Sequence, residues 1–226
     1  MLKELFTAWK EDDLLSQAWN ECYEALAICR EMFAEAVHIL REEEQEAVEK
    51  AIRKKDKQIN RYQRDIRRKV ITHCTLRGMD ALPGGMVLVS IIIDIERIGD
   101  NVKNMLDLAR AYPSRLQIPA CEEILGQIEA DIREHFQEIE QILKEYEVGK
   151  AREIMNRHRK QTRHSCDQMI DQLVRGEIEG ITPSDSAALA LYLRYLKRIS
   201  AHLKNVATSV VNPFERIGFK EKRVLK

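Results

Sequence analysis

The sequence predicts an all-α protein built from several long helices. Among its 226 residues only nine are Gly and five are Pro, whereas helix-favouring residues such as Ala, Leu, Glu, Lys and Arg are abundant. Apolar residues recur at intervals of three and four, which is the period of a helix with one buried face. The helix-breaking residues are concentrated at a few places, so the periodic segments between them are long.

Three helices are expected in the first half of the chain. The first covers residues 12–43, with an apolar stripe that includes Trp19 and Phe33. The following segment, EEEQEAVEKAIRKK, is expected to form a bend and a short helical turn before the second helix, KDKQINRYQRDIRRKVITHC. Gly78 and the ALPGG stretch end that helix, and the third runs over about 86–111.

The same order of elements returns after the linker AYPSRLQIP. A long helix is expected over residues 120–146 and is broken by Gly149. The run KAREIMNRHRKQTRHSCDQMIDQLVRG then predicts a short helix followed by a long one. TPSDS, in which Ser184 or Asp185 is a good N-cap, opens the last helix, which stops near Pro213.

Two helices carry related sequences, which indicates an internal repeat. ERIGDNVKN (96–104) aligns with KRISAHLKN (197–205), and four residues recur at a constant offset: Arg97 as Arg198, Ile98 as Ile199, Lys103 as Lys204, and Asn104 as Asn205. We infer two three-helix bundles packed side by side, in residues 1–112 and 118–213, with a C-terminal tail at 214–226 whose Phe residues fold back on the bundle. One irregular six-helix bundle is the alternative.

Composition and motifs narrow the function classes. Lys plus Arg and Asp plus Glu each number 37, so no global charge favours nucleic acid as a partner. Five scattered cysteines without CxxC spacing indicate reduced thiols that fill the core of a cytosolic protein. No stretch reaches the roughly 18 to 20 apolar residues that cross a bilayer. The absence of a Gly-rich phosphate loop, GxSxG or HExxH leaves an enzyme poorly supported.

Polar side chains with oxygen atoms form rows on two of the expected helices. Glu96, Asp100 and Asn104 are four residues apart on the third helix, and Asp56 and Asn60 have the same spacing on the second. If the two helices face each other, these oxygens meet in one metal-sized patch suited to hard or borderline cations. The alternative is a solvated helix end, or an ion-pair network with a neighbouring arginine.

The stretch DIERIGDNVKNM, after ALPGGMVLVSIII, closely resembles the third-helix signature of the PhoU family of phosphate-uptake regulators: an acidic residue, then ERIGD, then Asn. KKDKQINRYQRDI is similar to the second helix of that family. YLKRISAHLKNVATSVV extends the resemblance into the second repeat, so it covers nearly the whole chain. The resemblance implies two three-helix bundles in tandem.

The resemblance also implies iron or zinc, which several members of the family bind through acidic motifs on the bundle surface. The residues of this chain at the matching positions are Glu96 and Asp100 with Asp56 and Asn60, and the secondary candidates are Asp94 and Asn104.

The second repeat departs from the family pattern at the expected ligand positions. Lys197 and Ala201 stand where the acidic pair is expected, and only His202 and Asn205 remain as polar candidates. A lysine repels a cation instead of coordinating it. We therefore expect metal at the first repeat only.

The implied function is that of a cytosolic, non-enzymatic regulator of phosphate uptake. Its expected partner is the ATPase subunit of a phosphate transporter or a sensor histidine kinase, so it is peripheral to the membrane at most and binds no nucleic acid. An accessory subunit of a sodium-coupled phosphate or other ion transporter is the alternative, and a metal-storage protein or metal-dependent enzyme is a third hypothesis. Outward apolar residues on the long helices lead us to expect a homodimer.

Overall fold

The computed structural model describes residues 14–42, 46–145, 151 and 162–219. These residues form α-helices and short 3₁₀ turns, without a strand, so the predicted all-α fold is confirmed. The six α-helices of the described part are α1 Leu14–Arg41, α2 Glu46–Arg77, α3 Leu82–Ala111, α4 Glu122–Glu145, α5 Thr162–Arg175 and α6 Pro183–Val211.

The helices pack as two groups of three. In the first group α1, α2 and α3 each contact the other two, and in the second α4, α5 and α6 do the same. The groups are joined by α3 against α6 and by α1 against α4. The arrangement agrees with two tandem three-helix bundles, here called the first and second repeats.

Helix α2 is longer than the sequence pattern predicts. The bend and short helical turn were expected within EEEQEAVEKAIRKK; residues 43–45 of this segment lie outside the described residues, and from Glu46 onward α2 runs without interruption. The reason is a single buried stripe: Ile52 is fully buried and lies seven residues before Ile59, which is followed at the same interval by Ile66. Residues seven apart share one helix face, so the stripe extends the helix towards its N-terminus.

The junction between α2 and α3 depends on glycines and a proline. Gly78 ends α2 with a positive φ of 83°, in agreement with its predicted role. Helix α3 begins at Leu82, earlier than expected, because Pro83 lies in the first turn, where a missing N–H breaks no helical hydrogen bond. At Gly85 a Cβ atom would lie 2.7 Å from Val70 Cγ1, so α3 approaches α2 too closely for a side chain there.

Contacts between α1 and α4, the first helices of the two groups, hold the two repeats together. The rings of Phe33 and Phe136 pack with centroids 5.7 Å apart, and Trp19 Nε1 donates to the Leu143 carbonyl at 2.9 Å. Arg30 Nε donates to a Glu140 oxygen at 2.7 Å. The repeats therefore share buried contacts as well as a linker.

The N-cap of helix α6 is Thr182, so the expectation of a cap at Ser184 or Asp185 is wrong. Thr182 accepts a bond from the Asp185 backbone N–H, while the Asp185 carboxylate accepts from the Thr182 N–H. Pro183 then fits the first helical position, and the Tyr112 hydroxyl also donates to Asp185. Asp185 therefore supports the cap from inside the first turn.

After α6 the chain turns back and is held by hydrogen bonds. Gly218 N–H donates to Thr208 Oγ1 at 2.7 Å, and Lys204 Nζ donates to the Gly218 carbonyl at 3.0 Å. The expectation that the Phe residues pack on the bundle is wrong for Phe219, which is 64% exposed, and only partly met by Phe214, at 39%. The polar groups of α6 replace apolar packing here.

The cysteines lie mainly in the core. All five are free, and four of them are buried, which agrees with reduced thiols in the core. Among the described residues, no helix combines the length and apolar character needed to cross a membrane.

The short helix predicted after Gly149 lies outside the described residues, as does most of the Arg- and Lys-rich stretch NRHRKQTRH.

Candidate functional site

Three carboxylates converge where α2 faces α3, and we call them the acidic cluster: Asp56, Glu96 and Asp100. The Lys103 ammonium lies between two of them, with its Nζ 3.2 Å from Asp56 Oδ1 and 2.7 Å from Asp100 Oδ1. Burial lowers the pKa of Lys103, but hydrogen bonds to Asp100 and Asp56 outweigh this and raise it. Lys103 is therefore charged and joins the two helices.

The neighbours of Asp56 explain part of the ERIGD motif. Asn60 Nδ2 donates to Asp56 Oδ2 at 3.2 Å, so the predicted pair on α2 lies together in the cluster. Gly99 of α3 faces Asp56 and Ile59: a Cβ atom there would be 3.7 Å from Asp56 Oδ1 and 3.4 Å from Ile59 Cδ1. Gly99 therefore lies where α3 packs against α2, next to the Asp56 carboxylate.

Glu96 of the acidic cluster has a raised pKa. Its pKa is raised first by burial, then by the negative charge of Asp100 and a hydrogen bond to it. Lys103 acts in the opposite direction, while the charge of Asp56 raises the pKa further. One ammonium therefore faces three carboxyl groups, and the cluster retains an excess of acidic character.

The acidic cluster has oxygen ligands of the type that metal ions use, but its geometry is that of an ion-pair network. Lys103 Nζ contacts both Asp56 and Asp100, where a bridging cation would lie. Within the described ranges, no group of three or more His, Cys, Asp or Glu side chains is arranged to hold a metal ion. Lys103 therefore takes the place of a cation between these carboxylates, and the predicted iron or zinc site stays a prediction.

Asp94, a secondary candidate ligand, lies on another face of α3. Its Oδ1 is 2.7 Å from His202 Nδ1 and accepts a hydrogen bond from Asn205 Nδ2 at 3.0 Å. Asp94 is only 7% exposed, so this is a buried polar link between the repeats. His202 and Asn205 are the two polar residues that remain in the second repeat, and the sequence did not reveal that they contact Asp94.

Asn104, the other secondary candidate, is exposed and lines a groove of about 320 Å³ between α3 and α6, which we call the inter-repeat groove. Asp100 reaches this groove as well as the acidic cluster. The groove is otherwise lined by Arg97, Asn101, Arg194, Tyr195 and Arg198. The six predicted residues therefore divide among three places.

The second repeat reverses the charge at the position that corresponds to Glu96. Lys197 of α6 forms an ion pair with Asp167 of α5. An ammonium thus stands where the first repeat has a carboxyl group, and it is already neutralised by its neighbour. This contact gives a structural reason to test metal binding in the first repeat alone.

Three exposed apolar side chains lie close together in sequence around the junction of α2 and α3, and we call them the junction patch: Ile71, Leu76 and Met79. Their exposed fractions are 68%, 75% and 78%. Leu82, at the start of α3, is 38% exposed beside them in sequence. Apolar side chains left in water at such a junction are candidates for contact with another protein.

Comparisons with known proteins agree with this architecture. Residues 23–109 match the family model of the PhoU domain. The crystal structure of the phosphate transport system regulatory protein PhoU from Streptococcus pneumoniae is similar, with a TM-score of 0.76 and 17% sequence identity over 87% of this chain and 93% of that one. No curated protein matches the chain in sequence. The resemblance to the PhoU family is confirmed, by sequence in the first repeat and by fold over most of the chain.

Proposed function

We propose that this chain, whose first repeat is a PhoU domain, regulates phosphate transport by binding another protein. The match of residues 23–109 to the PhoU domain carries the proposal. The similar fold of a protein described as a phosphate transport system regulatory protein supports it. The proposed partner is the ATPase subunit of a phosphate transporter or a sensor histidine kinase, reached from the cytosol.

The packing of the chain suits a binding role. Buried contacts such as Phe33 with Phe136 and Asp94 with His202 fix the two repeats against each other. A fixed pair of bundles presents a constant surface, and such a surface binds one conformation of a partner more tightly than another. Regulation of this kind requires no catalytic step, so we propose a non-enzymatic role.

The junction patch is the part of the described surface that we assign to the partner. Leu76 and Met79 are each at least three-quarters exposed, and burying apolar side chains of this size contributes about 1.5 to 3 kcal/mol each. A charged residue in the same place opposes that burial.

We also propose that the chain forms a homodimer. Light scattering of the purified chain measures its mass in solution and tests this directly.

Capture experiments with tagged candidate partners test the proposal. The chain is mixed with the transporter ATPase subunit, with the sensor kinase, and with a sodium-coupled carrier as the alternative partner. Wild type should retain the ATPase subunit or the kinase, and Leu76→Glu with Met79→Glu should lose it. Val174→Glu is the matched control, because Val174 is 80% exposed on the second repeat. Retention of the carrier alone contradicts the proposal.

Metal binding at the acidic cluster is a further proposal that follows from the PhoU resemblance. Glu96, Asp100, Asp56 and Asn60 would be the ligands, with iron or zinc as the ion. Because Lys103 now contacts two of the carboxylates, the ammonium must move away before an ion enters. A test of metal binding therefore requires a Lys103 variant as well as variants of the ligands.

A further inference from the structure

Three arginines line the inter-repeat groove: Arg97 of α3, and Arg194 and Arg198 of α6. All three are exposed, and within the described residues no carboxylate lies within ion-pair distance of any of their guanidinium groups. Asp100, the acidic residue of the groove, is already paired with Lys103 at 2.7 Å. The groove therefore holds an excess of positive charge.

The internal repeat relates the two ends of the α3–α6 contact. Asp94 contacts residues 202 and 205, whereas residues 97–104 share the groove with residues 194–198, so the two helices run antiparallel. Arg97 and Arg198 are equivalent in the repeat and both lie in the groove. The groove is thus the counterpart of the Asp94 contact, at the other end of the same helix pair.

Charge differs between these two equivalent places. At one end the Asp94 carboxylate accepts bonds from His202 and Asn205. At the other end Tyr195 occupies the position equivalent to Asp94 and faces the groove beside Asn104, which is equivalent to Asn205. The groove therefore keeps one asparagine partner of a carboxylate but has a tyrosine at the position of Asp94.

One further exchange adds to the positive charge of the groove. The residue before Asp94 is Ile93, and its equivalent before Tyr195 is Arg194. Compared with the Asp94 contact, the groove therefore has one carboxylate fewer and one guanidinium group more. Guanidinium groups present paired N–H donors that match the oxygen spacing of phosphate and carboxylate groups.

We propose that the inter-repeat groove binds a small phosphate-bearing ligand, either inorganic phosphate or the phosphoryl group of a metabolite. Its volume of about 320 Å³ lies at the small end of ligand sites. Arg97, Arg194 and Arg198 supply the charge, and the Tyr195 hydroxyl and Asn104 amide supply further donors. A ligand held by both α3 and α6 favours the packed arrangement of the two repeats.

A phosphate site in the groove would give the proposed phosphate-transport regulator a ligand site of its own. The site rests on the proposed function only for its biological meaning. The binding itself requires no transporter. If the chain binds phosphate but leaves phosphate uptake unchanged, the ligand site stands and the regulatory role is refuted. If it controls uptake but binds neither anion, the regulatory role stands and the ligand site is refuted.

Isothermal titration of the full-length chain at fixed ionic strength tests the site. Inorganic phosphate and adenosine diphosphate are titrated separately, so that free anion and organic phosphate are distinguished. Binding of at least one is expected, and Arg194→Gln with Arg198→Gln should weaken it about tenfold or more, since each change removes the charge-assisted hydrogen bonds of a guanidinium group. Arg97→Gln is a second, single-residue variant that should weaken binding in the same direction.

The matched control removes the same charge elsewhere. Arg67 and Arg68 are exposed on α2, away from the groove lining, and Arg67→Gln with Arg68→Gln should leave the affinity within about twofold of wild type. Circular dichroism and thermal melting confirm that each variant is folded. Absence of binding to both anions at millimolar concentration overturns the proposal, as does equal weakening by the control pair.

Discussion

Asp94 Oδ1 lies 2.7 Å from His202 Nδ1, and this buried contact joins the first repeat to the second. The two side chains are only 7% and 8% exposed, and Asn205 donates to the same oxygen. Asp94→Ala leaves the His202 and Asn205 groups without their acceptor, which should lower the free energy of unfolding by about 1 to 3 kcal/mol. Urea denaturation measures this.

Asp107 provides the control for that experiment. It lies on the same helix, is exposed, and pairs with Arg53 at 2.8 Å on the surface. Asp107→Ala should cost at most about 1 kcal/mol, because exposed ion pairs contribute little. Equal losses in the two variants would mean that the Asp94 contact does not hold the repeats together.

Metal content depends on the acidic cluster if the proposed iron or zinc site exists. The purified protein should lose bound metal when Glu96→Gln is combined with Asp100→Asn, and Lys197→Ala should change nothing. Lys103→Met removes the ammonium that contacts Asp56 and Asp100, so it should increase the affinity for metal. Elemental analysis and titration with zinc measure both effects.

Equal metal content in wild type and in the Glu96 and Asp100 variant would contradict the metal proposal. It would leave the cluster as an ion-pair network. Lys103→Met would then lower stability, since it leaves the carboxylates of Asp56 and Asp100 without their cation.

Gly85 tests the close packing of α2 against α3. An alanine Cβ there would lie 2.7 Å from Val70 Cγ1 and 3.1 Å from Cys74 Sγ. Overpacking costs about 1 to 3 kcal/mol, which outweighs the gain of about 1 kcal/mol in helix propensity, so Gly85→Ala should destabilise the protein. Adding Val70→Ala should recover part of the loss in a double-mutant cycle.

Gly126 is the matched glycine on α4. An alanine Cβ at this position would meet no atom within 4 Å, so Gly126→Ala should instead stabilise the protein by about 0.5 to 1 kcal/mol. Thermal melting distinguishes the two variants by the sign of the shift. A shift of the same sign in both would contradict the packing argument.

Glu129 should make stability depend on pH. It is buried beside Tyr192, whose hydroxyl donates to Oε1 at 2.7 Å, and Arg41 Nε lies 3.2 Å away. Burial raises its pKa above the usual 4.5, although Arg41 and the Tyr192 hydrogen bond oppose this. Above pH 4.5 the unfolded chain releases the proton first, so the folded state loses stability as the pH rises through the raised pKa.

Comparison with Glu129→Gln isolates that effect. The stability of wild type minus that of the variant should fall as the pH rises from about 4.5, because glutamine carries no titrating proton. Urea unfolding between about pH 4 and pH 8 measures the difference. Glu123→Gln, at an exposed position on the same helix, is the control. A difference that is constant across this range would contradict the assigned burial effect.

The sequence predicts the helices well because apolar spacing reports which face is buried. It does so less well at boundaries, where Ile52 extends α2 and Thr182 is the cap that was expected two or three residues later. Asp56 and Asn60 were correctly grouped with Glu96 and Asp100 on facing helices. Spacing along each helix, combined with the family resemblance, was enough to place these four residues on facing helices.

Contacts between the repeats were beyond the sequence. Asp94 and His202 are separated by 108 positions, and their pairing depends on how α3 crosses α6. The role of Lys103 was missed for a related reason, since its contact with Asp56 depends on the distance between two helices. Residue spacing along one helix gives neither the crossing of two helices nor the distance between them.

Phosphate uptake in cells that lack the gene tests the central claim most directly. Radiolabelled phosphate uptake is compared in the parent, the deletion strain, and the deletion strain that carries either wild type or Leu76→Glu with Met79→Glu. Deletion should alter uptake in phosphate-replete medium, and wild type should restore it whereas the junction-patch variant should not. Equal uptake in the parent and the clean deletion would mean that the protein does not regulate phosphate transport.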